Sequence, residues 1–83
     1  EEEVDIPIVQ MNDSLCFVSE FAKLSVIKFV EGLFAYEVYR VDGTLLMRGE
    51  DVADWIDIPL SSGIYVIKYE LAGKVASQKV LVK

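Results

Sequence analysis

The sequence predicts an all-β fold, an antiparallel β-sandwich of about seven strands, from three observations. From residue 34 onward, short runs of β-branched and aromatic residues alternate with glycine-bearing turns about every ten residues. The chain has 83 residues, 53% of them hydrophobic, with five Gly and two Pro, a composition typical of one small folded domain. Residues 34–50 also form a hairpin pattern in which facing positions match in hydrophobicity and in charge.

The first third of the chain admits two interpretations. Residues 3–9 resemble an edge strand with Pro7 facing outward. Residues 14–33 fit a helical template, because apolar residues recur at steps of three and four. They also fit strands, since equally apolar residues lie off that stripe and Val26 and Ile27 are β-branched. We favour strands here and keep one helix within residues 14–33, giving an α+β fold, as the alternative.

The clearest hairpin joins a strand over residues 34–41 to one over residues 44–50 through Asp42-Gly43. This dipeptide is typical of a two-residue type I′ turn, which needs positive φ at both central positions. Such a turn pairs Val38 with Met47, Glu37 with Arg48, and Tyr39 with Leu46. Opposite charges then meet on one face and apolar residues on the other, and a slip of one residue would destroy both matches.

Three further strands complete the pattern. Residues 55–59 alternate in polarity, and Pro59 either ends this strand or places it at an edge. Residues 63–71 begin apolar on both faces and become polar on one, and Tyr65 follows a turn glycine, where a buried ring with its hydroxyl bonded to backbone is expected. Because alanine tolerates positive φ poorly, we expect a longer or bulged loop at Ala72-Gly73 before a last strand over residues 74–83.

Three motifs carry a family resemblance. They are Tyr39-Arg40-Val41-Asp42-Gly43-Thr44, Leu60-Ser61-Ser62-Gly63-Ile64-Tyr65 and Gln78-Lys79-Val80-Leu81-Val82-Lys83. Their order resembles the C-terminal sorting domains of proteins exported by the type IX secretion system of Bacteroidetes. It also resembles small secreted Bacteroides domains of unknown function built on a similar Ig-like sandwich. The resemblance spans residues 36–83 and implies a single Ig-like domain over residues 1–83, located outside the cytoplasm in the periplasm, at the cell surface or secreted.

The composition excludes several function classes. The chain has no His and one Cys, which removes Ser-His-Asp and Cys-His nucleophiles and imidazole metal sites, so we predict no enzyme activity and no cofactor. We expect the single thiol, Cys16, to be a small buried hydrophobe. The net charge of −6 opposes nucleic-acid binding, and no apolar run is long enough to span a membrane. The acidic residues 1–5 are expected to be a frayed terminus.

Two other groups of residues bear on function. Glu50, Asp51, Asp54 and Asp57 could supply oxygen ligands to Ca²⁺, but their spacing is not that of an EF-hand, so we expect a solvated acidic loop and no metal site. Aromatic residues could form a sugar-stacking platform or a protein interface. They are Tyr36, Tyr39, Trp55, Tyr65 and Tyr69.

The resulting hypothesis is a non-catalytic, secreted Ig-like interaction or structural module. Its candidate interface is Tyr39 and Leu46, beside Glu37 and Arg48, on the outward face of the hairpin. The expected partner is a protein surface, either a second copy or a neighbouring domain. The alternatives are an export-sorting tail of a larger protein and a carbohydrate-binding module. A large domain encoded upstream would favour the sorting tail, and a signal peptide directly before Glu1 would favour the separate module.

Overall fold

A computed structural model describes residues 9–11 and 14–83, which form eight strands in two antiparallel four-stranded sheets. The strands are β1 (Val9–Met11), β2 (Leu15–Glu20), β3 (Lys23–Lys28), β4 (Phe34–Arg40), β5 (Leu45–Asp51), β6 (Trp55–Pro59), β7 (Gly63–Leu71) and β8 (Lys74–Val82). The predictions for residues 1–8, an acidic terminus and most of an edge strand, lie outside the described residues.

The strand orders are β1-β2-β3-β6 in one sheet and β5-β4-β7-β8 in the other. The chain crosses between the sheets after β3, after β5 and after β6, which is the Greek-key connection of Ig-like sandwiches. The all-β prediction is therefore confirmed. The alternative of a helix within residues 14–33 is wrong, because this segment forms the β2-β3 hairpin.

The β2-β3 segment lacks a clean alternation because outward positions such as Cys16, Val18 and Ile27 are apolar as well. The inward residues Phe17 and Val26 face each other in the core, and the outward residue Cys16 is also buried, as predicted. Strands with apolar residues on both faces have near-continuous apolar sequences, which helical templates match by chance.

The core lies between the sheets and is filled by buried inward residues of all strands from β2 to β8 except β5, together with Leu60, and the half-buried Met47 of β5 packs against it. Three aromatic rings join the two sheets. Tyr69 of β7 lies 5.6 Å from Phe17 of β2 and 5.7 Å from Phe34 of β4, measured between ring centroids. Tilted ring pairs at this separation are favourable beyond the apolar area they bury.

Tyr65 forms the tyrosine corner expected of an Ig-like sandwich. Its ring is buried, and its hydroxyl donates to the carbonyl of Ser61 at 2.7 Å, four residues upstream. The bond ties the loop between β6 and β7 to the start of β7. The sequence-based expectation for this residue is confirmed.

The free edge of β8 is joined to the opposite sheet by a ladder of hydrogen bonds. Its carbonyls accept at every second residue: Lys79 from the Gln10 side chain at 2.9 Å, Leu81 from the Ser19 hydroxyl, and Lys83 from the Ala22 N–H at 2.7 Å. These bonds close one side of the sandwich and cover edge carbonyls that could otherwise pair with another chain.

The other side of the sandwich is closed at one end by Lys28. This side chain points inward from β3 and is buried, and its ammonium group donates to the carbonyls of Gly32 and, at 3.0 Å, Val52. A buried charge is tolerated where such acceptors replace water. Lys28 thereby holds the loops before β4 and after β5 together.

The turn between β4 and β5 differs from the predicted type I′ turn. Of Asp42 and Gly43, only Gly43 has positive φ, and the Arg40 N–H donates to the Thr44 carbonyl, so the loop has three residues. The reason is the Asp42 side chain, whose Oδ1 accepts a hydrogen bond from the Thr44 N–H at 2.9 Å. The same hydrogen bond lowers the pKa of the Asp42 carboxyl group. A bulge between Leu45 and Met47 then restores the predicted register.

The turn between β7 and β8 also differs from expectation, because it is shorter than the longer or bulged loop predicted from Ala72. Leu71 pairs with Lys74, so the turn has two residues, and both Ala72 and Gly73 have positive φ, at 55° and 79°. This is the type I′ pattern. The strain at Ala72 is accepted because nine consecutive pairs of β7 and β8 depend on that register.

We expect Ala72→Asn to stabilise the protein by about 0.5–1 kcal/mol. Asparagine populates the left-handed region far more readily than alanine and is favoured before glycine in this turn. The measurement is the midpoint of urea unfolding. Ala76→Asn, at an exposed position of the regular strand β8, is the matched control and should not stabilise. Equal gains from both variants would show that Ala72 is not strained.

Candidate interaction surface

The candidate surface is the solvent-facing side of the β5-β4-β7-β8 sheet, called the outer face below. The register shows which residues belong to it. Two residues that are paired across neighbouring strands lie on the same side of the sheet, and so does every second residue along a strand. One end of the outer face is charged and the other is apolar.

The charged end is built around Glu37 in the middle of β4. Glu37 faces Arg48 on one side and Lys68 on the other, and its Oε2 lies 3.5 Å from an Nη of Arg48. Its Oε1 accepts the Tyr39 hydroxyl at 2.5 Å. This bond to Glu37 raises the pKa of the Tyr39 phenol, with desolvation as a second cause. The Lys68 ammonium lies 5.8 Å from the centroid of the Tyr39 ring.

The apolar end begins at Tyr39. Tyr39 faces Leu45 of β5 and Val66 of β7, and Ile64, two residues before Val66, faces Leu81 of β8. Leu45 is exposed and the other four side chains are half-buried. These five residues, called the apolar patch below, extend over all four strands of the sheet, and the exposed Lys79 of β8, which faces Val66, borders them.

Three of the four residues predicted for the interface lie side by side on the outer face, and Leu45 lies where Leu46 was predicted. Glu37 and Arg48 face each other as predicted, and Tyr39 lies beside them. The predicted pair of Tyr39 with Leu46 is wrong. Leu46 is the additional residue of the bulge, and Leu45 takes its place opposite Tyr39. The cause is the three-residue turn, which shifts the register by one near Gly43.

The contributions of β7 and β8 to this surface have no signal in the sequence of the hairpin. β4 pairs with β5 on one side and with β7, which is distant in sequence, on the other. This pairing adds four residues of β7 and β8 to the surface: Lys68, Val66, Ile64 and Leu81. The change from apolar to polar along β7 was visible in the sequence, but nothing there showed which strand lies beside it.

A shallow trough of about 420 Å³ lies at the charged end of the outer face. Its floor includes Ala35, whose small side chain lies between Glu50 of β5 and Glu70 of β7. Arg48 and Val75 line its ends. Acidic and basic side chains of neighbouring strands therefore border the trough. Such a border suits a polar or charged segment of a partner.

The outer side of the other sheet carries a hydrogen-bonded network around Asp57. Its Oδ1 accepts the Ser25 hydroxyl at 2.9 Å and the Trp55 Nε1–H at 3.0 Å, and its Oδ2 lies 3.9 Å from the Lys23 ammonium. These contacts, the Ser25 hydrogen bond first, lower the pKa of Asp57. The indole of Trp55 is therefore held in a fixed orientation although it is 59% exposed.

The lowered pKa makes the Asp57 network a source of pH-dependent stability. Its contribution is present at neutral pH, above the ordinary pKa of an aspartate, and is lost as the pH falls through the lowered pKa of the folded state. We therefore expect Asp57→Asn to be less stable than the unchanged protein at pH 7, and this difference to shrink toward pH 3. Urea unfolding at both pH values measures it.

Asp54→Asn is the control for this experiment, since Asp54 is an exposed aspartate of the preceding loop. It reports the effect of removing one negative charge without the Ser25 and Trp55 hydrogen bonds. If Asp57→Asn and Asp54→Asn shift the unfolding midpoint alike at both pH values, the network does not stabilise the fold.

The predicted acidic loop forms no metal-ligand set in the described part of the chain, where no three His, Cys, Asp or Glu side chains lie grouped for an ion. Across residues 9–11 and 14–83, no helix is long and apolar enough to cross a membrane. No protein-family model matches the chain, and no curated protein is significantly similar to it.

Proposed function

We propose that this chain is a non-catalytic interaction module outside the cytoplasm, which binds another protein through the outer face. The observation that carries the proposal is the apolar patch, in which Tyr39, Val66, Ile64 and Leu81 remain half-exposed on the solvent side of a sheet. Contiguous apolar surface of this kind on a small domain marks a site that a partner covers.

The neighbouring charges support a protein partner. Glu37, Arg48 and Lys68 alternate in sign beside the patch, so a partner can be oriented by charge while the patch supplies the buried area. Interfaces commonly combine an apolar centre containing Tyr with a polar rim.

The remaining parts of the proposal rest on the sequence. A chain without His, whose one thiol is buried, has few groups suited to nucleophilic or acid–base catalysis. The extracytoplasmic location rests on the resemblance of residues 36–83 to secreted Bacteroides domains and sorting domains. The Ig-like sandwich with its tyrosine corner agrees with that resemblance at the level of fold.

The test is site-specific photo-crosslinking in the source organism. With a photoreactive phenylalanine analogue at Val66, in the centre of the outer face, we expect one discrete crosslinked protein in the extracytoplasmic fraction. The same analogue at Trp55, on the opposite sheet, should give no such product. Equal crosslinking from both positions would contradict the proposed surface.

A paired variant separates binding from folding. Tyr39→Ser with Leu45→Lys should abolish the crosslink from Val66 while leaving the melting temperature within a few degrees, because neither side chain belongs to the core. If the double variant instead unfolds several kcal/mol more easily, these residues hold the fold together and the patch is not a free surface.

Carbohydrate binding is a second candidate function, favoured by the geometry of Trp55. An exposed indole whose N–H is held by Asp57 presents a fixed ring, on which the C–H face of a sugar can stack. Lys23 and Glu20, 3.4 Å apart beside Asp57, could bind hydroxyl groups.

Affinity electrophoresis in gels containing soluble xylan, mannan or laminarin tests this candidate. Retardation in one of these gels that is lost in Trp55→Ala and kept in Tyr39→Ser would establish a sugar site on the sheet opposite the outer face. Unchanged mobility in all three gels would leave the protein partner as the better supported function.

A further inference from the structure

The four sheet edges are protected to different degrees. The β8 carbonyls are capped by Gln10, Ser19 and Ala22, β1 has three residues, and β6 has five and ends at Pro59. β5 has seven residues and, within the described part of the chain, pairs with β4 alone. Its free edge is thus the longest strand edge that another strand could extend.

The side chains on β5 have a charge pattern that suits its own antiparallel copy. Arg48 and Glu50 are separated by one residue, Gly49, and both lie on the outer face. When two β5 strands pair about a two-fold axis at Gly49, Arg48 of each copy faces Glu50 of the other. The joint then contains two opposite-charge pairs.

Other registers lack this match. An axis at Arg48 places Arg48 opposite itself, and an axis at Glu50 places Glu50 opposite itself, so like charges meet on the axis. An axis between two residues would set outer-face side chains against inner-face ones, which the pleat of a sheet does not allow. Gly49 is therefore the one position within Arg48–Glu50 about which opposite charges pair.

The pairing also continues a row that already exists within the sheet. Lys68, Glu37 and Arg48 alternate in sign across β7, β4 and β5. Glu50 of a second copy extends the alternation across the new joint. On the inner side, the Tyr36 hydroxyl lies 2.6 Å from the place where a Cβ at Gly49 would be, so this half-buried ring reaches the edge and would be covered as well.

We propose that β5 pairs antiparallel with β5 of a second copy about Gly49, forming a continuous eight-stranded sheet. The two outer faces then form one surface with two apolar patches. The interface has few residue pairs and each copy carries a net charge of −6, so the dimer is weak, with a dissociation constant of about 0.1–1 mM at physiological salt. This goes beyond the proposed function and does not depend on it, since it concerns an edge and not the apolar patch.

The test uses two charge reversals and their mixture in sedimentation equilibrium, at about 0.05–2 mM protein to bracket that constant. Arg48→Glu places acids opposite acids at the joint, and Glu50→Arg places bases opposite bases, so each variant alone should bind itself at least tenfold more weakly than the unchanged protein. Mixed in equal amounts, they form two Glu–Arg pairs and should associate at least as well as the unchanged chain.

Two controls keep the result specific. Glu70→Arg makes the same charge reversal on the outer face but on β7, away from the edge, and should leave self-association unchanged. Glu50→Arg preserves the Glu37–Arg48 ion pair, so it isolates the joint if Arg48→Glu disturbs the fold. Amide hydrogen exchange over residues 47–51 should slow as the concentration of the unchanged protein rises.

Three outcomes would overturn the proposal. The unchanged chain could be monomeric at 2 mM, the mixture could stay as monomeric as its components, or Glu70→Arg could weaken association as much as Glu50→Arg. None of these outcomes affects the Val66 crosslink, so failure of the dimer and failure of the proposed function are distinguishable.

Discussion

The contact on which the rest of the structure depends is the aromatic cluster at Tyr69, which packs against Phe17 of one sheet and Phe34 of the other. Because strands alternate their side chains, fixing these three rings inward fixes the direction of every neighbour in β2, β4 and β7. Ala35 of β4, Lys68 of β7 and every second residue along each of these strands must then face solvent. The outer face is therefore a consequence of the core.

The two sides of the sandwich are closed by different chemistry. At β8, backbone carbonyls are capped by Gln10, Ser19 and Ala22, whereas near β5 the buried ammonium of Lys28 joins two loops and leaves the strand edge outside. This asymmetry makes one edge of the sheet closed and the other available. The proposed pairing with a second copy therefore lies at β5.

The two outer sides of the sandwich differ in what they could bind. The outer face combines a Tyr-centred apolar patch with alternating charges, which suits a protein. The opposite sheet fixes a single exposed indole through Asp57, which suits a flat ligand. The two surfaces lie on different sheets, so binding at each can be tested separately by single substitutions.

The sequence alone favoured the all-β class and determined the strands from β4 onward, the Glu37–Arg48 register and the role of Tyr65. Each of these depends on local alternation or on turn chemistry between neighbouring strands. It left residues 14–33 undecided, because a segment with apolar residues on both faces has no distinguishing period. It also missed both turn types. At Asp42 a side-chain bond favours a three-residue loop in which this residue does not need positive φ, whereas at Ala72 a nine-pair ladder outweighs a local φ preference of about 1–2 kcal/mol.

Only the tertiary structure decided which side chains share the outer face. The pairing of β4 with β7, which brings Lys68 and Val66 beside Glu37 and Tyr39, joins strands far apart in the sequence. Such long-range pairing is set by how the two sheets bury their apolar sides together. It leaves no local pattern in either strand, because a given alternation is compatible with any neighbour of matching faces.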